Sequence, residues 1–362
     1  MAKKIFIAAT GQNCGKTTMS ISLMHLARKK YERVAFIKPI GPKIERYGDM
    51  KLDMDAILMA RTYGLEQDLE FMNPVPLNRG FTREFLDGRI DGRALADSIV
   101  NAVAKLEREN DLLIIEGAGH GGVGAVIGLS NAHVARLVNA PVMIVTGSGI
   151  GNVIDAVQLN LALYEREQAD VRLIMTNKLI SEKRDTTLKY LKRAFDYSLE
   201  LSGGFNYSPI LANPTLAHIS KLLDLPLQGD HNVRNRIIHH IQLGAASSQK
   251  VVDGLLESTL LIVTSSRDEL IVTLSSLYNI PAWREKIAGI VIAGHAPVSM
   301  ISQQILDRSD IPYIRIHETT ADTFTALTED VSKITAEDHE KLAWIQANAE
   351  HDIDFEMIDR IF

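Results

Sequence analysis

The sequence predicts an α/β protein built on a doubly wound, mainly parallel sheet, and three observations carry that prediction. Short apolar runs recur as far as residue 200, at Lys4–Ala8, Val34–Lys38, Leu112–Glu116, Val142–Thr146 and Leu173–Thr176. They are continuous rather than alternating, the pattern of strands covered on both faces. Helical stretches separate them: an amphipathic one at Met19–Lys30, then Leu95–Glu109, Ala132–Val138, Val153–Glu167 and Thr186–Phe195. Strands interleaved with helices argue for βαβ units. Glycines and polar residues gather just after the strands, where ligands of such sheets bind.

The second half repeats the rhythm without repeating a motif. From Gly203 to Gly229 the pattern loosens into Gly, Asn and Pro, with one short helix expected at Leu216–Leu223. Strands are then expected at Thr259–Thr264, Gly289–Ala293 and Tyr313–Ile316, and helices at Asp268–Tyr278, Ser299–Arg308 and Thr320–Leu327. The expected domains are a nucleotide-binding domain over 1–210, a linker over 211–235, a smaller α/β domain over 236–334 and a helical tail over 335–362.

Bulk properties narrow the function classes. Of the 362 residues 46% are apolar and 23% charged, ordinary values for a soluble globular chain. A net charge of −6 supplies no general basic surface, so nucleic acid is not the expected partner. The single cysteine, Cys14, excludes an internal disulfide and a cysteine-rich metal site. Met1-Ala2-Lys3-Lys4 runs directly into a short strand, so no signal peptide is expected, and no apolar run reaches the ~20 residues that span a bilayer. A cytoplasmic protein without a membrane partner is the expectation.

The first strand delivers the main motif, Thr10-Gly11-Gln12-Asn13-Cys14-Gly15-Lys16-Thr17-Thr18. Strand, glycine-containing turn, Lys-Thr and helix together hold a polyphosphate: the turn's N–H groups point inward and the helix N-terminus adds positive potential. Lys16 would reach the outer phosphates and the Thr17 hydroxyl would sit on Mg²⁺. The common G-x-x-x-x-G-K-T form is altered once, with Thr10 in place of the first Gly and Gly11 next. Cys14 reads either as a small loop residue or as a thiol activated by the helix field.

Further along, Lys38-Pro39 ends the second strand, where the lysine can face the phosphates. Asp53 and Asp55 follow a charged loop; one of them can serve Mg²⁺, which takes one or two carboxylates, or cap a helix. Glu116 ends a fully apolar strand, a costly place for a carboxylate without a partner, and Gly117-Ala118-Gly119-His120-Gly121-Gly122-Val123-Gly124 follows it. His120 reads as a surface loop residue, and Gly147, Gly149 and Gly151 read as a strand-to-helix turn. Asn177 ends the fifth strand, where an amide offers an adenine edge both a donor and an acceptor.

In combination, Thr10–Thr17, Lys38-Pro39, Asp55-Ala56, Glu116-Gly117-Ala118-Gly119 and Asn177 resemble the dethiobiotin synthetase-like P-loop family. Ala9-Thr10-Gly11, Phe36-Ile37-Lys38-Pro39-Ile40 and Val142–Gly147 are more similar to the amino-terminal region of long bacterial phosphotransacetylases. Gly244-Ala245-Ala246-Ser247, Leu261–Asp268 and Ile292-Ala293-Gly294 resemble the DRTGG domain found with it, although only Arg267-Asp268 and Gly294 remain of that domain's signature.

The resemblance implies a P-loop NTPase domain followed by a smaller α/β domain. It implies ATP and Mg²⁺ as cofactors, the nucleotide held by Thr10, Gly11, Asn13, Cys14, Gly15, Lys16, Thr17, Thr18 and Asn177. It also implies metal ligation by Thr17, Asp55 and Glu116, and catalytic roles for Lys16 and Lys38. Two functions follow as expectations: a regulatory or sensor protein, or an ATP-dependent ligase activating a small carboxylate. After Lys38-Pro39 the run Ile40-Gly41-Pro42-Lys43 differs from the family's substrate-holding residues, so no particular substrate is implied. The resemblance stops short of the acyltransferase domain, so phosphotransacetylase activity is not expected of this chain. A separate acyltransferase partner and a homodimer are.

Overall fold

The structure, a computed structural model, describes residues 2–195, 199–330 and 332–362. The chain divides into two compact units, one formed by Met1–Ser208 with His339–Phe362 and one by Pro209–Asp338. In chain order the strands are β1 (Lys3–Ala9), β2 (Val34–Ile37), β3 (Ile40–Gly41), β4 (Ile44–Tyr47), β5 (Met50–Asp53), β6 (Val75–Pro76), β7 (Leu112–Glu116), β8 (Val142–Thr146), β9 (Val171–Thr176) and β10 (Glu200–Gly203) in the first unit. The second unit holds β11 (His240–Leu243), β12 (Thr259–Thr264), β13 (Ile287–Ala293) and β14 (Tyr313–Arg315).

The first unit is built on a six-stranded sheet in the order β10-β9-β8-β1-β7-β2, with every pair parallel. Its central strands are apolar except at their ends because both faces are covered. One face packs Phe6, Ala8, Ile115 and Ile144 against Ile99, Val103 and Leu106 of the helix Gly92–Glu109. The same face continues across β9 and β10, where Ile174 and Leu201, in register with Ile144, pack against Val153, Val157 and Leu191; on the opposite face Ile5, Ile7, Met143 and Met175 are wholly buried. β1 is central, and the chain winds to β7 and β2 on one side of it and to β8, β9 and β10 on the other. The carboxyl end of β1 is therefore the topological switch point, the standard ligand position of such sheets.

The helix that follows β1, α1 (Lys16–Ala27), departs from the amphipathic expectation. Only Thr17 and His25 along it escape full burial. Its outer side is covered by the helix His339–Asp352, and Ser20 and Ser22 are wholly buried, Ser20 against Glu116 of β7. Residues 335–362 are accordingly no separate tail: the helices His339–Asp352 and Phe355–Ile361 belong to the first unit. Lys3 and Lys30 pair with Asp359 at 2.9 Å each, and Tyr31 donates to the same carboxylate.

The second unit has a four-stranded parallel sheet in the order β11-β12-β13-β14. Residues 211–235, expected as a linker, are part of this unit. Their helix Leu216–Leu223 has the expected bounds, and Leu216, Ile219 and Leu227 join Leu260, Ile262, Val291 and Ile314 in its core. Among the described residues no helix is long and apolar enough to cross a membrane.

Candidate functional site

The loop between β1 and α1 is shaped by its neighbours. Thr10 N–H donates to the Val145 carbonyl and its hydroxyl to Thr146 Oγ1, which seats the departing residue on β8. Asn13 and Gly15 have positive φ, 57° and 96°. At Gly15 a Cβ would run into the Asn177 amide, so glycine is required twice over. α1 starts there with no capping side chain and no acidic residue in its first turn, leaving its positive end free for an anion.

Under this helix end lies a buried charge cluster. Lys38 Nζ, 3% exposed, bonds Asp55 Oδ2 at 2.6 Å, Glu116 Oε1 at 2.8 Å and the Gly117 carbonyl at 3.2 Å. Burial lowers the Lys38 pKa, but the carboxylates of Asp55, Glu116 and Asp53 outweigh it, and the ammonium titrates above the ordinary lysine range. Glu116 is wholly buried and also accepts from Ser20 Oγ at 2.6 Å. β7 can therefore end on a buried carboxylate.

Thr17 Oγ1 lies 3.1 Å from Glu116 Oε1 and 3.3 Å from Asp55 Oδ1. One hydroxyl proton cannot serve both acceptors. Three converging oxygens, two of them from carboxylates, suit a hard cation, and two carboxylates with a hydroxyl match the sparse protein ligation of Mg²⁺.

Of the two aspartates, Asp53 is the cap. Its carboxylate accepts from Asp55 N–H at the start of α2 (Met54–Tyr63) and from Lys43 N–H, while its own N–H donates to Asn73 Oδ1. Burial first, then the Asp55 charge, push the Asp53 carboxyl up to about 6 against the opposing pull of Lys38. Asp55 turns into the cluster.

Lys16 reaches the opposite wall. Its Nζ donates to the Gly119 carbonyl at 2.8 Å and lies 3.5 Å from that of Gly11, and burial lowers its pKa. Asn177 braces the loop from behind: Nδ2 donates to the Cys14 carbonyl at 3.1 Å and Oδ1 accepts from Phe205 N–H at 2.9 Å. For an adenine edge that leaves one Nδ2 hydrogen and one Oδ1 lone pair. Cys14 Sγ stays within the loop, 3.6 Å from Thr10 Oγ1. His120 is exposed, with Nδ1 accepting from Gly122 N–H, and Gly149 opens the helix Ile150–Arg166.

The structure thus brings Thr10–Thr18, Lys38, Asp55, Glu116 and Asn177 together at one end of the first sheet. Two further residues hold the loop after Glu116, and neither carries a motif. Asn131 donates to the carbonyls of Ala118 and His120 at 2.5 and 2.6 Å and accepts from Ala118 N–H at 3.0 Å. A Cβ on Gly117 would come within 2.7 Å of that Asn131 oxygen. Asn160 accepts from Gly121 N–H at 3.0 Å and donates to the Thr10 carbonyl at 3.4 Å, joining the two loops. Asn131 is the first residue of the helix Asn131–Leu137, which Ser130 caps, and lies just before the helical stretch expected from the sequence.

Comparison with known proteins agrees with this geometry. A family model described as an AAA domain matches residues 3–226. A phosphate acetyltransferase of Nitratidesulfovibrio vulgaris is 23% identical over 365 residues, covering 98% of this chain and 51% of that protein. A cobyric acid synthase of Pelotomaculum thermopropionicum is 29% identical over 222 residues, 53% of this chain and 41% of that one. An ATP-dependent dethiobiotin synthetase of Escherichia coli O157:H7 is 27% identical over 120 residues, 33% of this chain and 53% of that one. The chain spans about half the length of the curated relatives it matches.

Proposed function

The chain belongs to the AAA domain family through residues 3–226, and from that premise we propose that it is a Mg-ATP-binding regulatory or sensor protein related to the amino-terminal region of phosphate acetyltransferases. The observation that carries this reading is the convergence of Thr17, Asp55 and Glu116 oxygens beneath an uncapped helix end that also presents Lys16. Thr10–Thr18 would hold the phosphates, Thr17, Asp55 and Glu116 the metal, and Asn177 the adenine edge. Mg²⁺ would supply charge neutralisation at the phosphate oxygens.

A sensing role is supported by the partner of Lys16. Its ammonium bonds the Gly119 carbonyl, and a phosphate that took this lysine would release the loop after Glu116. A ligand that binds one loop position better than another shifts the population between them. Gly244–Ser247, Ser265–Asp268 and Gly294 follow β11, β12 and β13, which supports reading the second unit as a DRTGG-like regulatory module. A cytoplasmic homodimer, working with a separate acyltransferase, completes this proposal.

A second reading, an ATP-dependent ligase activating a small carboxylate, is favoured by Lys38. Its buried ammonium beside two carboxylates would stabilise charge on a reacting oxyanion.

Thermal unfolding with Mg-ATP tests the nucleotide site. A ligand at one hundred times its Kd stabilises by about 2.7 kcal/mol, or roughly 5–10 °C for a unit of this size. Lys16→Ala should remove most of that shift, and its absence with any purine nucleotide at millimolar concentration would refute both readings. ADP release that is stimulated by small carboxylates, offered with an amine or bicarbonate, selects the ligase. Tight binding with negligible turnover selects the sensor.

A further inference from the structure

An open surface pocket of about 460 Å³ lies apart from the phosphate loop, in the segment between β6 and the helix Gly92–Glu109, its arginines exposed and Leu77 and Phe81 half-buried. Residues 77–83 line it. Its chemistry is one-sided: Arg79 and Arg83 contribute guanidinium groups, Asn78 an amide and Thr82 a hydroxyl, with Leu77 and Phe81 as the apolar part and no carboxylate in the lining. Glu84, the next acidic residue along the chain, lies outside it. Among the described residues neither guanidinium has an ion-pair or hydrogen-bond partner within the chain, in contrast to Arg89 on the same segment, which pairs with Asp87.

The pocket is tied to both walls of the nucleotide cleft. β6, which leads into it, pairs in parallel with β3, and β3 directly follows Lys38-Pro39. Leu77 N–H donates to the Gly41 carbonyl at 2.8 Å, Val75 N–H to Pro39 and Lys38 N–H to Met72. On its other side the helix Phe81–Leu86 packs on the turn Ala125–Ile127, at the end of the glycine-rich loop that begins after Glu116.

A guanidinium without an internal partner can take a planar oxyanion in a bidentate manner, and two of them line one open pocket of ligand size. We infer that residues 77–83 form a second binding site, for a small organic oxyanion such as a carboxylate or phosphate-bearing metabolite. Occupancy of this site would be sensed by the Lys38-Pro39 turn before β3 and by the loop after Glu116. The site itself stands on the pocket and its arginines; its role as substrate or effector site rests on the nucleotide reading above.

Isothermal titration calorimetry of the full chain tests it, with citrate as the carboxylate probe and inorganic phosphate as the other, each with and without Mg-ATP. We expect one probe to bind and Arg79→Gln/Arg83→Gln to weaken it at least about tenfold. Mg-ATP affinity should stay the same in that variant, and Arg193→Gln, an exposed control outside the pocket, should leave the probe's affinity unchanged. Citrate binding without phosphate binding identifies a carboxylate ligand, and the converse a phosphate ligand. No heat from either probe at millimolar concentration, or binding that the double variant leaves intact, overturns the inference. Loss of Mg-ATP binding in the unmodified chain while the probe still binds through the arginines would refute the nucleotide reading and leave this site standing.

Discussion

Lys38→Met isolates the buried charge cluster, because methionine keeps most of the apolar stem and removes only the ammonium. Nζ lies 2.6 Å from Asp55 and 2.8 Å from Glu116. At an effective dielectric of about 20, each attraction is worth roughly 6 kcal/mol before desolvation. Burying three charges costs several kcal/mol per ion, so the cluster as a whole contributes little net stability. Removing one partner is different: Glu116, wholly buried, and Asp55, 5% exposed, keep their burial and lose their counter-ion. The expected loss is about 3–5 kcal/mol at pH 7.5.

Its pH dependence follows from Asp53. That carboxyl already titrates at about 6, with Lys38 among the influences holding it down, so the variant raises it further. A group whose folded pKa lies above its unfolded value of about 3.9 contributes stability below that value and loses it as pH rises through the folded pKa. The deficit of the variant should therefore be larger at pH 8 than at pH 5, and Mg²⁺ should recover part of it at pH 8. Urea unfolding followed by circular dichroism, with equal m-values in both proteins, measures it. A deficit below about 1 kcal/mol at pH 7.5, or one that shrinks as pH rises, would refute the reasoning.

Two other perturbations probe what surrounds the cluster. Asn131→Ala deletes three hydrogen bonds to the loop after Glu116, two of them buried, and should cost about 2–3 kcal/mol, with faster amide exchange at Ala118; unchanged exchange there would show that the loop holds its own shape. Burial raises the Asp359 pKa, but hydrogen bonds from Tyr31, Lys3 and Lys30 outweigh it and bring it to about 2. Its stabilising contribution is thus present above the unfolded pKa of about 3.9 and is lost as pH falls through about 2. Protease cleavage within residues 339–362 should rise over that interval in the native chain, and Asp359→Asn should flatten the dependence. Equal acid sensitivity in the two proteins would place the weak point elsewhere.

The legible part of the fold was the part written in contiguous residues. Five strands of the first sheet are unbroken apolar runs, and the phosphate loop is a continuous motif between a strand and a helix. β11 escaped because His240-Ile241-Gln242-Leu243 is a polar edge strand, and β4 and β5 because the hairpin they form is largely charged and solvent-facing. α1 departs from an amphipathic helix because its cover comes from residues 339–352, far along the chain. Of the aspartates, either could cap a helix or turn inward, and only the fold separates Asp53 from Asp55. Asn131 and Asn160 act through backbone carbonyls and amides that lie 11 and 13 or 39 and 150 residues away in the chain. A lone asparagine carries no trace of such partners.

The same long-range logic governs the phosphate loop. Its conformation depends on the space in front of Gly15, which the Asn177 amide fills from β9. That amide is held in turn by Phe205 N–H, and the Phe205 ring packs against Trp344 with centroids 5.7 Å apart. Trp344 sits on the helix His339–Asp352, which also closes over α1. The second unit thus interrupts the first in sequence, and residues on both sides of the interruption support one loop. A change at Trp344 should therefore reach nucleotide affinity without touching the nucleotide, through the amide that shapes Cys14 and Gly15.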